Sequence, residues 1–304
     1  MSGFEYRVGG LRVASGRPLP DLDPLASDGR VPDVRIAFGP LTPLPGAVSG
    51  PFQVHSPHSA DFTLPDRLRI RIADGQRLTV DAVPHVSASE IQTFLFGPAF
   101  AALLHQRGTP PLHAGAVAVG ARAVAVAGAS GAGKSTALRA LLAVGCRFLT
   151  DDQLVVDPAT MGVEPGVPAL KLWAAAAAHF HDRPDDDRRV MPGRDKFHMA
   201  LPAPACGPLP LKAVCILVPQ EGIARPSLER LSLTQAVVAL GNLSHHAYAA
   251  DLMGRRRAIF EQAVALAERV PVFLLLRPDD LSAIDHVAHL IRDMAQAAVL
   301  EDVP

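Results

Sequence analysis

Aromatic residues make up only 5% of this 304-residue chain, with one tryptophan and two tyrosines. Trp173 alone cannot build the stacking platform that single-stranded nucleic acid requires. A formal net charge of −1 gives no basic footprint for a phosphate backbone or an anionic lipid surface, so neither nucleic acid nor membrane is expected as a partner. Cysteine is scarce as well. Cys146, Cys206 and Cys215 form no Cys-x-x-Cys pair or Cys/His cluster, and an odd count argues against a secreted disulfide framework; they read as reduced packing residues. Long apolar runs are missing. Ala114 to Ala129 is interrupted by Gly120 and Arg122, short of the roughly 18 to 20 residues that span a bilayer. The opening Met-Ser-Gly-Phe-Glu-Tyr-Arg holds no apolar signal segment, which sets a cytoplasmic location as the expectation. The 49% hydrophobic content is enough to fill one large or two modest cores.

What is present divides near residue 108. Residues 1–108 alternate short β-like runs with Pro- and Gly-rich turns: Tyr6 to Ala14, Val34 to Phe38, Arg67 to Ile72 and Arg77 to Val83. These predict an antiparallel β-rich domain. Strict alternation in Arg67-Leu68-Arg69-Ile70-Arg71-Ile72 puts the arginines on one face, read as a solvated face rather than a basic substrate stripe. A helical pattern over Ser87 to Gln106, opened by Ser87 or Ser89 with Glu90 and Gln92 in capping-box reach, closes this domain. Thr109-Pro110-Pro111 then ends the helix, and residues 109–304 form a second domain of α/β type.

That second domain opens with apolar strands at Ala114 to Val119 and Ala123 to Ala127, followed by Gly128-Ala129-Ser130-Gly131-Ala132-Gly133-Lys134-Ser135-Thr136. This is a complete G-x-x-x-x-G-K-[ST] phosphate loop between a strand and a helix-forming run that continues through Leu142. Its glycines permit the bends that converge backbone N–H groups on a β-phosphate. Lys134 reaches the β/γ oxygens, Ser135 can ligate Mg²⁺, and the following helix adds the positive end of its dipole. ATP and Mg²⁺ are the ligands this pattern predicts.

A strand near Arg147 to Leu149 ends in Thr150-Asp151-Asp152, seventeen and eighteen residues after Lys134 for the two aspartates. The carboxyl end of a strand beside a phosphate loop is where a metal-binding carboxylate belongs. One of the pair can hold Mg²⁺ with Ser135 while the other orients or deprotonates an attacking hydroxyl. His113 stands just before the first strand, and a lone histidine beside apolar residues reads as a structural group rather than a functional one. His179 with His181, and His245 with His246, lack the spacing and carboxylates of a metal set and read as surface or packing groups. The mixed-charge run His181 to Arg189 reads as a solvated loop. Arg194 and Lys196 beside it are candidates for γ-phosphate or acceptor contacts. Beyond it, a strand at Ala213 to Val218, a helix opened by Ser232 with Gln235, a helix around Gly254 to Arg269, a strand at Val272 to Leu276 and a final helix from Ser282 to Val299 complete the scaffold. Ile284, Val287, Ile291 and Met294 form a stripe that serves the core, or a homo-oligomer contact as the alternative.

The segment Leu112 to Asp157, carrying LHAGAVAVG, GASGAGKST and FLTDDQLVVD, resembles the catalytic domain of HPr serine kinase/phosphorylase. Histidine, phosphate loop and Asp-Asp stand in the same order and spacing. The whole chain is similar to the shorter HPr-kinase-related proteins found with ribosomal-peptide clusters, including lasso-peptide kinases. The resemblance implies a P-loop kinase core of the HPr kinase / PEP carboxykinase-like type, a mixed sheet with flanking helices, preceded by the β-rich domain. It implies Asp151 as the base for an acceptor serine, Asp152 as a metal ligand, His113 beside the catalytic aspartate, and a matched position at Lys196. Two departures limit it. Glu164 to Pro168 lacks the arginine-containing signature of the bifunctional enzymes, so phosphorolysis is not expected. The N-terminal region does not match their regulatory domain, so HPr itself is not the expected substrate. The reading is an ATP- and Mg²⁺-dependent kinase for a serine of a small protein or precursor peptide. Its alternatives are a small-molecule hydroxyl kinase, for example for free serine, and a nucleotide-dependent binding protein or chaperone.

Overall fold

Gly9 and Gly10, both at positive φ (56° and 80°), fold the predicted Tyr6 to Ala14 run into a hairpin instead of one strand. Its arms are β1 (Phe4–Val8) and β2 (Leu11–Ser15). The computed structural model describes residues 3–25, 29–202 and 207–297; Cys206, part of the proline-rich 202–210 stretch and the last residues of the predicted final helix lie outside these. With β3 (Val34–Phe38), β4 (Ala47–Ser49), β5 (Phe52–Ser56), β6 (Ser59–Leu64), β7 (Leu68–Ala73) and β8 (Arg77–Ala82), the hairpin forms an eight-stranded sheet in the order β1-β2-β3-β8-β7-β6-β5-β4. The sheet is mixed, which corrects the antiparallel expectation: β3 runs parallel to both β2 and β8. The long connections on either side of β3 return the chain to the same end of the sheet, as parallel pairing requires. In β7, Leu68, Ile70 and Ile72 are buried. Arg71 is committed to Asp61 (2.8 and 2.9 Å) and Arg67 to Glu90, so these two arginines are paired.

The predicted helix is present but kinked. Helix α1 (Ala88–Phe94) starts at Ser87, whose Oγ accepts the Glu90 N–H at 3.1 Å. Gly97 leaves helical geometry (φ −94°, ψ −108°) just before Pro98, which cannot donate to the helix ladder. Helix α2 (Phe100–Gln106) then runs over the sheet. Leu95, Phe100, Leu103 and Leu104 are buried with Phe52, Ile70, Ile72 and Leu78. Val155, Ala249 and Met253 from the second half join this core, so the two halves pack directly on each other.

In the second half, β9 (Ala114–Val119) and β10 (Arg122–Gly128) form a hairpin. Their sequences alternate alanine with valine, and the alternation sorts two faces. Val117, Val124 and Val126 pack with Leu138 and Leu141 of α3 (Lys134–Ala143). Ala116, Ala123, Ala125 and Ala127 face the opposite way, where their small side chains let other helices approach closely. Strand β11 (Arg147–Thr150) borders β9. Short strands β12 (Val155–Val156) and β13 (Gly162–Glu164) follow, then β14 (Ala169–Trp173), helix α4 (Ala174–His179) and β15 (Lys196–Ala200), which pairs with β14. Strand β16 (Leu209–Gln220) lies parallel to β10. Beyond it come β17 (Ser227–Arg230), α5 (Leu233–Asn242), α6 (Ala247–Leu252), α7 (Arg256–Arg269), β18 (Val272–Pro278) and α8 (Ile284–Gln296). Strand β18 is parallel to β16. Leu240 of α5 with Ala263 and Leu266 of α7 cover the alanine face. Ile284, Val287 and Ile291 of α8 are buried with α3, so the predicted stripe is core. The result is a mixed α/β fold with helices on both faces of the second sheet. Among the described residues no helix is long and apolar enough to cross a membrane.

Candidate active site

Strands β10, β11 and β18 all end on one side of the second sheet, and β9, antiparallel to β10 and β11, begins there. Residues 128–133, the Asp151–Asp152 pair and His113 are thereby gathered at the carboxyl edge, where ligands of open α/β sheets bind. The glycine loop turns tightly, with the Ala132 N–H donating to the Ala129 carbonyl at 3.1 Å. Gly133 caps α3 at φ +91°. A Cβ there would lie 3.1 Å from the Arg277 guanidinium, which sits under the loop and donates from Nε to the Ala132 carbonyl at 3.1 Å. Lys134 is buried, its ammonium donating to the carbonyls of Gly128 (2.9 Å) and Ala129 (3.2 Å). Burial lowers its pKa, against the pull of Asp152 and Asp151.

The two carboxylates have different neighbours. Ser135 Oγ lies 3.0 and 3.2 Å from the two Asp151 oxygens, and the Lys171 backbone N–H donates to Asp151 Oδ2 at 3.0 Å. Asp152 adopts a left-handed backbone (φ +72°), a conformation Asp tolerates better than most residues. Its side chain meets the Lys171 ammonium at 2.8 Å and His113 Nε2 at 3.2 Å. The expected pairing of His113 with Asp151 and of Ser135 with Asp152 is thus reversed. The reversal accompanies the left-handed backbone at Asp152, with Asp151 held by the Lys171 backbone N–H and Asp152 by the Lys171 ammonium. Desolvation, then the neighbouring Asp152, raises the Asp151 pKa. Desolvation would raise Asp152 too, but the Lys171 charge and the His113 hydrogen bond outweigh it and hold Asp152 well below the usual carboxylate range. Desolvation likewise disfavours the Lys171 ammonium, and Asp152 outweighs it, so its pKa is raised.

A cleft of about 560 Å³ lies against these groups. His113, Ser130, Gly131, Gly133, Lys134, Ser135, Thr136 and Asp152 line it, and so do Arg194 and Lys196. Gly128 and Ala129 line the adjoining hollow with His113, and Ala132 is buried beneath the loop. Every predicted site residue except Asp151 and Ala132 therefore borders one of these two spaces; Asp151 borders a smaller cavity. The predicted solvated run His181 to Arg189 is largely exposed, and ion pairs join it to its neighbours: Arg189 to Asp186 and Asp195 (both 2.6 Å), and Asp182 to Arg139 (2.7 Å). Lys196 is on β15, its ammonium 5.9 Å from the centre of the half-exposed Trp173 ring.

Sequence reasoning gave no role to Lys171, Arg277 or His245. His245 reads from its spacing as a packing residue, yet the chain after α5 docks beside His113. His113 N–H donates to Leu243 O (2.6 Å), His245 N–H donates to Pro111 O (2.9 Å), and the two rings stack at 4.8 Å. Potential ligand atoms of His113, Asp152 and His245 lie within 4.8 Å of one another, a set with the chemistry to hold a divalent cation. His245 is pushed well below the ordinary histidine range by burial, and His246 to about 4 by the same cause. For Lys171 a signal existed: one cation inside the otherwise apolar alternation Ala-Leu-Lys-Leu-Trp. For His245 there was none, since its partners are distant in sequence. No family model matches the chain, and no curated protein matches it.

Proposed function

We propose that this chain is a kinase that transfers the γ-phosphoryl group of ATP to a hydroxyl, most concretely a serine of a small protein or of a precursor peptide such as a lasso-peptide precursor. On this reading the second half is a phosphate-loop core of the HPr kinase type. The observation that carries the proposal is the convergence of Lys134, Ser135 and Asp152 on one cleft at the carboxyl edge of the sheet, with Asp151 bonded to Ser135 beside it.

The residues fit a nucleotide triphosphate. The glycine loop leads into a ten-residue helix whose cap, Gly133, offers no side-chain acceptor to the first turn, leaving those N–H groups and the helix dipole for phosphate oxygens. Lys134, Arg194 and Lys196 add positive charge along the cleft. Ser135 and Asp151 would hold Mg²⁺, which when bound neutralises charge on the phosphates. Asp152, kept ionised by Lys171 and open to the cleft, accepts the hydroxyl proton at its carboxylate, with His113 orienting it. This exchanges the two aspartate roles implied by the family resemblance. Most of the rate gain comes from positioning and charge neutralisation.

Incubation of the chain with γ-labelled ATP, Mg²⁺ and candidate acceptors, read by mass spectrometry, tests the proposal. A phosphorylated serine on a peptide or small protein supports it. Label only on a small hydroxyl compound would move the acceptor class. Tight ATP binding with no transfer to any acceptor would replace the kinase reading with a nucleotide-dependent binding protein.

A further inference from the structure

A second cavity, of about 40 Å³, is bordered by Asp151 and shares Lys171 with the cleft. Its wall is shared between the two halves: Val8, Gly9, Gln92, Phe96 and Phe100 from the first, and Thr150, Asp151, Gln153, Lys171 and His198 among those from the second. Three of these residues carry a buried polar atom with no protein partner: Gln92 Oε1, Gln153 Oε1 and His198 Nδ1.

The chemistry of each residue's other contact fixes what the orphan atom is. The Gln92 amide nitrogen donates to Asp21 Oδ2 at 2.8 Å; an ionised carboxylate only accepts, so the amide cannot be turned over and Oε1 is left as the free acceptor. The Gln153 amide nitrogen donates to the Gly97 carbonyl, which fixes that amide in the same way. His198 Nε2 lies 2.7 Å from Thr93 Oγ1, whose own hydroxyl hydrogen goes to the Ser89 carbonyl at 2.9 Å. His198 must therefore donate from Nε2. Burial lowers its pKa to about 3, so the ring is neutral at ordinary pH and Nδ1 carries a lone pair. All three orphans are acceptors, and a buried acceptor left unpaired is costly.

We propose that this cavity is a binding site for a small hydrogen-bond donor, an ammonium ion or ordered water, that ties helix α1 to the Asp151 turn. One water needs roughly 10–15 Å³ of such space, so the cavity admits either species. Gln92, Gln153 and His198 supply the acceptors, and Asp151 borders the same space. The occupant would be the means by which the N-terminal half supports the carboxylate pair. The site is separate from the nucleotide cleft and would exist whatever reaction the cleft performs.

Two measurements on the full chain test it. A high-resolution crystal structure should contain density within hydrogen-bonding distance of at least two of the three acceptors. Thermal melts in matched sodium, potassium and ammonium chlorides then identify the occupant: a Tm rise specific to ammonium marks the ion, and equal melts with density present mark water. The Gln92→Met variant, which removes one acceptor, should lose any ammonium-specific rise and melt below wild type. Asp21→Ala, which removes the amide's outer anchor and the ion pair with Arg188 but leaves all three acceptors in place, should keep the rise. An empty or collapsed cavity, or a Gln92→Met chain that melts above wild type in all three salts, would overturn the proposal.

Discussion

Lys171 touches both aspartates, one through its backbone N–H and the other through its ammonium, so its removal should be read in pH as well as in rate. Lys171→Met takes away the charge that holds Asp152 low, and the acid limb of transfer should move to higher pH while ATP affinity changes little. Lys171→Arg should restore much of the wild-type profile. An unshifted pH–rate profile in a folded Lys171→Met enzyme would remove Lys171 from the site chemistry. The aspartates themselves should separate. Asp152→Asn is expected to lose transfer by the roughly 10²- to 10⁴-fold typical of base removal with Mg-ATP binding retained, whereas Asp151→Asn should raise the Mg²⁺ requirement through Ser135. The opposite pattern in Mg²⁺ titrations would return the roles to those of the family resemblance. Lys134→Ala should weaken Mg-ATP binding in calorimetry without unfolding the chain. His113→Ala should lower transfer and alter its pH profile, since His113 is hydrogen-bonded to the Asp152 carboxylate; loss of thermal stability alone would mark it as packing.

At the scale of elements, the close approach of α3 to β9 depends on Gly115. A Cβ at that position would lie 2.3 Å from Leu138 Cδ1 and 2.9 Å from the Thr150 carbonyl, so the Leu138 side chain would have to repack and the turn leading to Asp151 would have to shift. Gly115→Ala should cost about 1 to 3 kcal/mol, the usual range for overpacking, in denaturant unfolding. It should also lower transfer more than ATP binding, because the aspartate turn moves with Thr150. Unchanged stability would show that Leu138 repacks freely. Gly115 also illustrates what sequence could and could not convey. The alternation Ala-Val-Ala-Val in β9 and β10 was legible because it has the period of a strand, and the Ser232 cap with Gln235 was legible because capping is local; both are present in the fold. The loop with Lys134 and Ser135 was legible from its spacing. Strands β4 to β6 were missed because proline, glycine and serine dilute their apolar pattern. The parallel pairing of β3 and the pairing of His113 with Asp152 were missed because each depends on where distant segments dock or on a single left-handed residue.

For the molecule as a whole, burial of neutral histidines predicts acid sensitivity. His198 is lowered to about 3 and His246 to about 4, each chiefly by burial, and His105 and His245 are lowered by the same cause. All four lie where the two halves meet or beside the site: His198 bonds to Thr93 of α1, and His105 of α2 bonds to the His245 carbonyl at 2.7 Å. A histidine lowered in the folded state binds its proton more readily when unfolded. Its stabilising contribution is therefore complete above the unfolded pKa near 6.5 and is lost as pH falls toward the folded value. Carboxylates in unfolded chains titrate near 4, so between roughly pH 6.5 and 5 the four histidines set the slope, each by up to about 1.4 kcal/mol per pH unit, opposed by Asp151, whose raised pKa acts the other way. The Tm should fall steadily across that window. His198→Asn should start from a lower Tm at pH 7, because it disturbs the contact with Thr93, yet decline more shallowly on acidification. A wild-type Tm that is flat from pH 7 to 5, or a variant whose slope matches wild type, would show that these rings are protonated in the fold and that the interface between the two halves tolerates their charge.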